Sequence, residues 1–91
     1  MNQQILFNDH VEIQWEQGWA QFDAMVAGQR VPCLVGLNTL ANKLDSTLTT
    51  AEEAAAAFEQ LRFDLEAEAE RLIEDDAFDA QGRIWLGHPP I

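Results

Sequence analysis

The longest regular hydrophobic pattern of this chain lies in its second half, between residues 50 and 76. Apolar side chains recur there at steps of three and four residues, as on one face of a helix. No glycine or proline interrupts the segment, and Thr50 and Glu53 have the spacing of a capping box. The pattern therefore predicts one long amphipathic helix over residues 50–76. Its apolar stripe consists of Ala54, Phe58, Leu61, Leu65, Ala69, Leu72 and Ile73.

The first half of the chain alternates between apolar and polar residues with a period of two, which is typical of half-buried strands. Residues 10–35 contain three such runs separated by turns at Gly18 and Gly28, so we expect an antiparallel three-stranded meander. Pro32 lacks the N–H of a ladder hydrogen bond. We therefore expect the third strand to lie at a sheet edge, or the proline nitrogen to face outward. Residues 1–9 are predicted as an extended lead-in.

Three shorter segments complete the predicted architecture. A short helix over residues 38–45 is expected to be capped by Asn38, and a final strand is expected at residues 83–86, before an extended tail at 87–91. One apolar sheet face against one helix stripe predicts a single α+β domain, residues 1–91, with two layers.

The predicted long helix is large for so small a chain. At ~1.5 Å per residue it would span roughly 40 Å, whereas a globule of this size has a diameter near ~30 Å. We therefore expect the helix either to fray near its end or to project from the body.

The charge of the chain is strongly unbalanced. The net charge is −11, and residues 49–79 hold eleven acidic residues against two arginines. Such a surface repels nucleic-acid phosphates and anionic lipid, which argues against direct binding to either. A solvated acidic face that aids solubility, a basic partner protein, and mimicry of nucleic acid all remain open.

The residues with chemical potential do not form a recognisable catalytic, cofactor or metal motif, and we predict none. Cys33 lies on the expected buried face without a second cysteine, and His10 and His88 are isolated. The acidic run at residues 74–79 lacks the glycine-punctuated loop that would turn several oxygens onto one cation. The single cysteine and the lack of a signal peptide or membrane-length apolar run lead us to expect a soluble cytoplasmic protein.

Two surfaces are candidates for protein interaction. On the long helix, Phe63 lies opposite the apolar stripe, near Glu59 and Glu70. On the sheet, the face away from the helix would carry Trp19, Met25, Leu34 and Trp85.

These surfaces favour an interaction or regulatory module that self-associates or docks on another protein. The first alternative is a ligand-binding or enzymatic domain with a pocket between sheet and helices, which would require Arg30, Arg62 or His10 to converge on one cavity. The second alternative is an acidic decoy for a nucleic-acid-binding protein.

The order of several core and turn residues resembles a known family. The residues concerned are Trp15, Phe22, Val26, Gly28, Val31 to Cys33 and Leu40, then Phe58, Arg62, Leu65, Glu66, Ala69, Gly82, Arg83 and Ile84. In this order the chain is similar to the small bacterial domain-of-unknown-function family 1488, apart from residues 88–91. The resemblance implies a short meander, helices and a closing strand in a bacterial cytoplasmic protein. It implies no established activity, so no catalytic residue is assigned.

Overall fold

A computed structural model describes residues 5–8 and 10–87 of the chain. The predicted α+β class is confirmed: a five-stranded, mostly antiparallel sheet packs against two helices. In chain order the elements are β1 (Ile5–Phe7), β2 (Glu12–Gln14), β3 (Trp19–Val26), β4 (Gln29–Gly36), α1 (Leu37–Lys43), α2 (Ala51–Glu74) and β5 (Ile84–Leu86).

The sheet is larger than the predicted meander because part of the supposed lead-in is a strand. β1 pairs antiparallel with the end of β3, and β2 pairs with its beginning, so the two short strands share one edge of β3. The register shifts by two residues between them, since Phe7 lies opposite Ala24 whereas Glu12 lies opposite Gln21. The run Ile5–Phe7 is apolar throughout and too short to display alternation, which is why the sequence pattern did not predict a strand there.

Pro32 does not lie in an edge strand, so of the two alternatives expected for it the edge position is wrong and the outward-facing nitrogen remains. β4 lies between β3 and β5, which runs parallel to it. The proline is accommodated because β5 pairs only with Cys33–Val35 and ends before it. The pair that flanks a two-residue hairpin turn, here Val26 and Gln29, exchanges hydrogen bonds. Hydrogen-bonded and non-hydrogen-bonded pairs alternate along an antiparallel ladder, so the pair of Asp23 and Pro32 is not hydrogen-bonded. The nitrogen of Pro32 therefore faces away from β3.

The first helix begins one residue earlier than predicted and without the predicted cap. Gly36 is the N-cap of α1 and makes no side-chain capping bond, so Asn38 lies inside the helix rather than capping it. The Leu37 N–H donates instead to the Gly18 carbonyl at 2.9 Å. A backbone carbonyl of the first β-turn thus satisfies one of the free N–H donors at the start of α1.

The long helix begins as predicted, and Thr50 caps it by accepting a hydrogen bond from the Glu53 N–H at 3.1 Å. The Glu53 carboxylate turns back to accept from the N–H and hydroxyl of Thr49, each at 2.7 Å. These hydrogen bonds to Thr49 hold the pKa of Glu53 below its usual range. Both threonines therefore take part in capping: Thr50 accepts a hydrogen bond from the Glu53 backbone, and Thr49 donates to the Glu53 side chain.

The end of α2 is sharper than predicted. The helix stops at Glu74, and Asp76 follows in the left-handed conformation with φ = 57°. The Ala77 N–H donates to Leu72 O at 2.9 Å and the Asp76 N–H to Ile73 O at 3.0 Å, which together form a Schellman motif. The same arrangement ends α1, with Asp45 in the left-handed position at φ = 50°.

The expected projection of the helix is not found. Its 24 residues span about 36 Å at ~1.5 Å per residue, and the molecule measures 41 × 26 × 19 Å. Buried side chains extend from Ala54 near its start to Ile73 near its end. The body is elongated along the helix, so the helix is packed over its whole length.

The core lies between α2 and one face of the sheet. Phe22 of β3 is at its centre, with ring centroids 6.0 Å from Phe7 and 5.1 Å from Phe58 of α2. The buried residues of this cluster are Ala20, Phe22, Ala24, Val31, Cys33, Val35, Leu40, Ala57, Phe58, Leu65, Ala69, Ile73, Ile84 and Leu86. The opposite face of the sheet has no helix over it among the described residues.

Candidate functional site

Phe63 is the most exposed large apolar side chain in the described part of the chain, at 85% of its full accessible area. The helical spacing places it opposite the buried stripe, with the exposed alanines Ala56 and Ala67 on the same side of α2. These small neighbours leave its ring standing above the helix surface. Glu70, two turns further along this face, is also exposed.

Glu59, the other acidic residue predicted beside Phe63, is already engaged. Its carboxylate accepts from Nε of Arg62 at 2.9 Å and also pairs with a terminal nitrogen of that guanidinium. The hydrogen bond from Arg62 holds the pKa of Glu59 below its usual range and raises the pKa of Arg62. The guanidinium also reaches Glu66 at 3.4 Å. Of the acids nearest Phe63, Glu70 therefore carries the more open charge.

Arg62 has a structural role that sequence spacing did not reveal. Its guanidinium donates to the Asn8 carbonyl at 3.2 Å and lies 4.9 Å from the centre of the Phe58 ring. It thereby joins the middle of α2 to the chain between β1 and β2, where the strand register shifts. The arginine is thus committed to this contact and to its acidic neighbours on α2.

The outer face of the sheet carries a small apolar cluster of three side chains. The Trp19 and Trp85 rings meet edge to face with centroids 5.3 Å apart, and Leu34 beneath them is only 1% exposed. These three of the four predicted outer-face residues therefore come together. Met25 does not join them; it lies at the hairpin end of the same face, directly opposite Leu6 of β1.

Asp79 organises the turn that leads from α2 into β5, a role the sequence reasoning missed. Its carboxylate accepts from the N–H groups of Gln81 and Arg83 at 2.9 and 2.8 Å, from Arg83 Nε at 2.8 Å, and from Trp85 Nε1 at 3.0 Å. These donors, the Arg83 backbone foremost, lower its pKa to about 2. An aspartate three residues before a glycine, between a helix and a strand, is the sequence signal that could have indicated it.

A cleft of about 420 Å³ lies at the hairpin end of the molecule. It is lined by Val26, Ala27, Gln29, Arg30, Val31, Ile73, Asp76, Phe78 and Gly82. Arg30 therefore borders a cavity, as the ligand-binding alternative requires, but Arg62 and His10 are not among its walls. The Arg30 guanidinium is mostly exposed and stands 3.9 Å from Asp23 on the outer face.

The remaining candidate residues are dispersed. Cys33 is buried, its thiol lies 3.6 Å from Val31 O, and desolvation raises its pKa to about 12. His10 is exposed, whereas His88 and the rest of the tail after Gly87 lie outside the described residues. Within residues 5–8 and 10–87, no group of three His, Cys, Asp or Glu side chains is arranged to hold a metal ion. No helix in this part of the chain has both the length and the apolar character needed to cross a membrane.

The fold and its surfaces thus define a small, acidic α+β domain with one helix-covered and one uncovered sheet face. Residues 5–86 match the family model described as "Protein of unknown function (DUF1488)", and the chain belongs to this family.

Relatives and a solved structure agree with this assignment. The chain is 40% identical over 86 residues to the uncharacterized protein YrdB of Escherichia coli (strain K12), covering 94% of this chain and 99% of that protein. It is 38% identical, with the same coverage, to the uncharacterized protein YrdB of Shigella flexneri. It also resembles the crystal structure of a protein of unknown function from the same family of Shewanella loihica PV-4. That similarity has a TM-score of 0.89 and 36% identity over 94% of each chain.

Proposed function

We propose that this chain is a non-catalytic protein-interaction module of the bacterial cytoplasm that docks a basic partner protein on the exposed face of α2. The observation that carries the proposal is Phe63, whose ring is 85% exposed in the middle of an acidic helix. Burying a phenylalanine side chain is worth about 1.5–3 kcal/mol, so an exposed ring on a rigid helix is a suitable anchor for an interface.

The charge around Phe63 supports a basic partner rather than a second copy on this face. Residues 51–76 hold ten acidic residues and two arginines, a net charge of −8. Two such helices facing each other would repel, whereas lysine and arginine side chains of a partner would be attracted to the open carboxylate of Glu70 and its neighbours. We expect the partner to present an apolar pocket for Phe63 with basic residues around it.

The proposal is tested in two steps. Affinity capture from a bacterial lysate at about 50 mM and about 500 mM salt would compare the wild type with F63A and with D45N. D45N is a charge control, because it removes one negative charge that lies outside α2, just after the end of α1. A captured protein is then purified and titrated against the three variants by calorimetry.

We expect saturable binding that weakens with salt, is unchanged in D45N, and has a Kd at least tenfold higher in F63A. Tenfold corresponds to about 1.4 kcal/mol, the size expected for an aromatic anchor. A partner that binds wild type and F63A equally would contradict the proposal. If added nucleic acid displaces the chain from the captured partner, the result would identify the decoy function instead.

A further inference from the structure

The acidic charge of the chain is not spread over the whole surface. Among the described residues, the strand positions of the outer face hold three ionised side chains, which are Glu12, Asp23 and Arg30. Their net charge is −1, whereas residues 51–76 on the helix side carry −8 of the −11 total. Beside this face, Asp79 and Arg83 form a salt bridge, so their charges cancel. The described outer face is therefore close to neutral in a strongly anionic molecule.

This neutral face is also rich in exposed apolar area. Leu6 is 54% and Met25 is 36% exposed, and the two lie directly opposite each other on β1 and β3. The half-buried Trp19–Trp85 pair lies toward the other end of the same face, with Gln21 and Asp23 between it and Met25 along β3. Two of the five exposed large hydrophobic residues of the described chain thus share one uncovered sheet face.

We propose that two copies of this chain associate through their outer sheet faces, around Leu6, Met25 and the Trp19–Trp85 pair. Of the surfaces described, this face is the one through which two copies of net charge −11 can approach with least repulsion, which is why we place the second copy here. A two-fold axis would set each patch against its own copy and give a helix–sheet–sheet–helix sandwich. This association uses a surface separate from the acidic helix face and does not depend on the proposed partner.

The area of the outer face indicates how strongly the proposed dimer should associate. The two central strands have eight residues and are about 26 Å long, and the strands beside them are shorter, so a sheet about 19 Å wide covers at most roughly 500 Å² per copy. That is slightly below the lower end for stable specific interfaces, about 600 Å² per partner. We therefore expect a reversible dimer that forms at micromolar to millimolar concentrations rather than a permanent one.

Salt dependence distinguishes this association from partner binding on α2. Each copy carries −11, so residual repulsion between copies opposes the dimer, and added salt screens it over about 8–10 Å. The dimer should therefore become more populated as salt rises, whereas attraction of a basic partner to α2 should weaken.

The test is sedimentation velocity of the full chain from about 5 µM to about 1 mM, at about 50 mM and about 500 mM salt. The principal variant is M25E, since Arg30 lies directly opposite position 25 and can pair with the new carboxylate in the monomer. L6E is the second variant, at the exposed position of β1. F63E is the matched control, because it adds the same charge on the exposed face of α2. Circular dichroism and thermal unfolding establish that each variant is folded.

We expect the wild-type and F63E masses to rise toward that of a dimer with concentration and with salt, and M25E and L6E to remain monomeric. A wild-type chain that stays monomeric to about 1 mM at high salt would overturn the proposal. So would a dimer that persists in folded M25E and L6E, or one that F63E abolishes.

Discussion

Replacing Asp76 by glycine should stabilise this protein, although Asp76 takes part in no core contact. Asp76 occupies the left-handed position of the Schellman motif that ends α2, with φ = 57°. A side chain with a Cβ carries a cost of roughly 1–2 kcal/mol in this conformation, somewhat less for aspartate, and glycine carries none. Its carboxylate also faces the negative end of the helix dipole, which costs about 0.3–1 kcal/mol.

One opposing contribution reduces the gain. Glycine gives the unfolded chain more conformational freedom, which costs up to about 1 kcal/mol on folding. The balance is a stabilisation of about 1 kcal/mol for D76G, which corresponds to a rise of roughly 4–8 °C in Tm for a domain of this size. D76N, which keeps a side chain but removes the charge, should recover only the dipole part, about 0.3–1 kcal/mol.

Urea unfolding followed by circular dichroism measures both variants, and high salt separates the two contributions. Salt should shrink the effect of D76N, which is electrostatic, and leave most of the effect of D76G, which is conformational. D45G, at the corresponding position of α1 with φ = 50°, should change stability in the same direction. If D76G is equal to or less stable than wild type, the assignment of strain to this position is wrong.

Two further predictions follow from Asp79 and from the hairpin turn. The pKa of Asp79 is lowered to about 2, below the roughly 3.9 of an unfolded aspartate, so its contribution is present above pH 4 and is lost as the pH falls from about 4 to about 2. D79N should therefore be less stable than wild type at pH 7 and lose less stability across that window, as measured by urea unfolding at each pH; equal losses would contradict this. Ala27 has φ = 51° in the two-residue turn with Gly28, so A27N should raise the free energy of unfolding by about 1 kcal/mol in urea titrations, whereas A27V should lower it. A more stable A27V would refute that reasoning.

The sequence could predict α2 because its information is local and repeated. The Thr50 cap, the uninterrupted run of helix-forming residues and the recurrence from Ala54 to Ile73 all indicate the same element. Its end was placed two residues too late because the last turn was judged from composition. A helix end is usually recognised in a sequence by a glycine, which adopts the left-handed conformation easily. Here Asp76 occupies that position, so the sequence carries no clear sign of the helix end.

What could not be predicted depends on partners distant in the chain. β1 is a strand because β3 offers it an open edge, and three apolar residues carry no periodicity that reveals this. The chemistry of Pro32 left an edge strand and an outward-facing nitrogen as alternatives, and the extent of β5 along β4 decides between them. The carbonyl that Arg62 binds belongs to Asn8, 54 residues away, and spacing along a helix carries no information about so distant a partner.

The candidate surfaces show the same difference between features set by local sequence and features set by distant contacts. Helical geometry sufficed to place Phe63 on the exposed face, because position on a helix follows from counting residues. Counting residues could not show whether Met25 contacts the tryptophans. Alternation along a strand tells which face of the sheet a side chain is on, but not which side chains of neighbouring strands lie next to it. The structure separates Met25 from Trp19 and Trp85 and gives it Leu6 as a neighbour, from a segment not expected to be a strand.

The distribution of charge connects the two proposals. The sequence already places most of the net charge of −11 on α2, and the fold adds that the described outer sheet face is nearly neutral. In a dimer joined through the sheets, the two α2 helices would lie on opposite outer surfaces, each displaying its own Phe63. Such an assembly could hold two basic partners at once, and linked sites bind a bivalent partner more tightly than either site alone. M25E should then weaken capture of a bivalent partner without changing the affinity of a single α2 face.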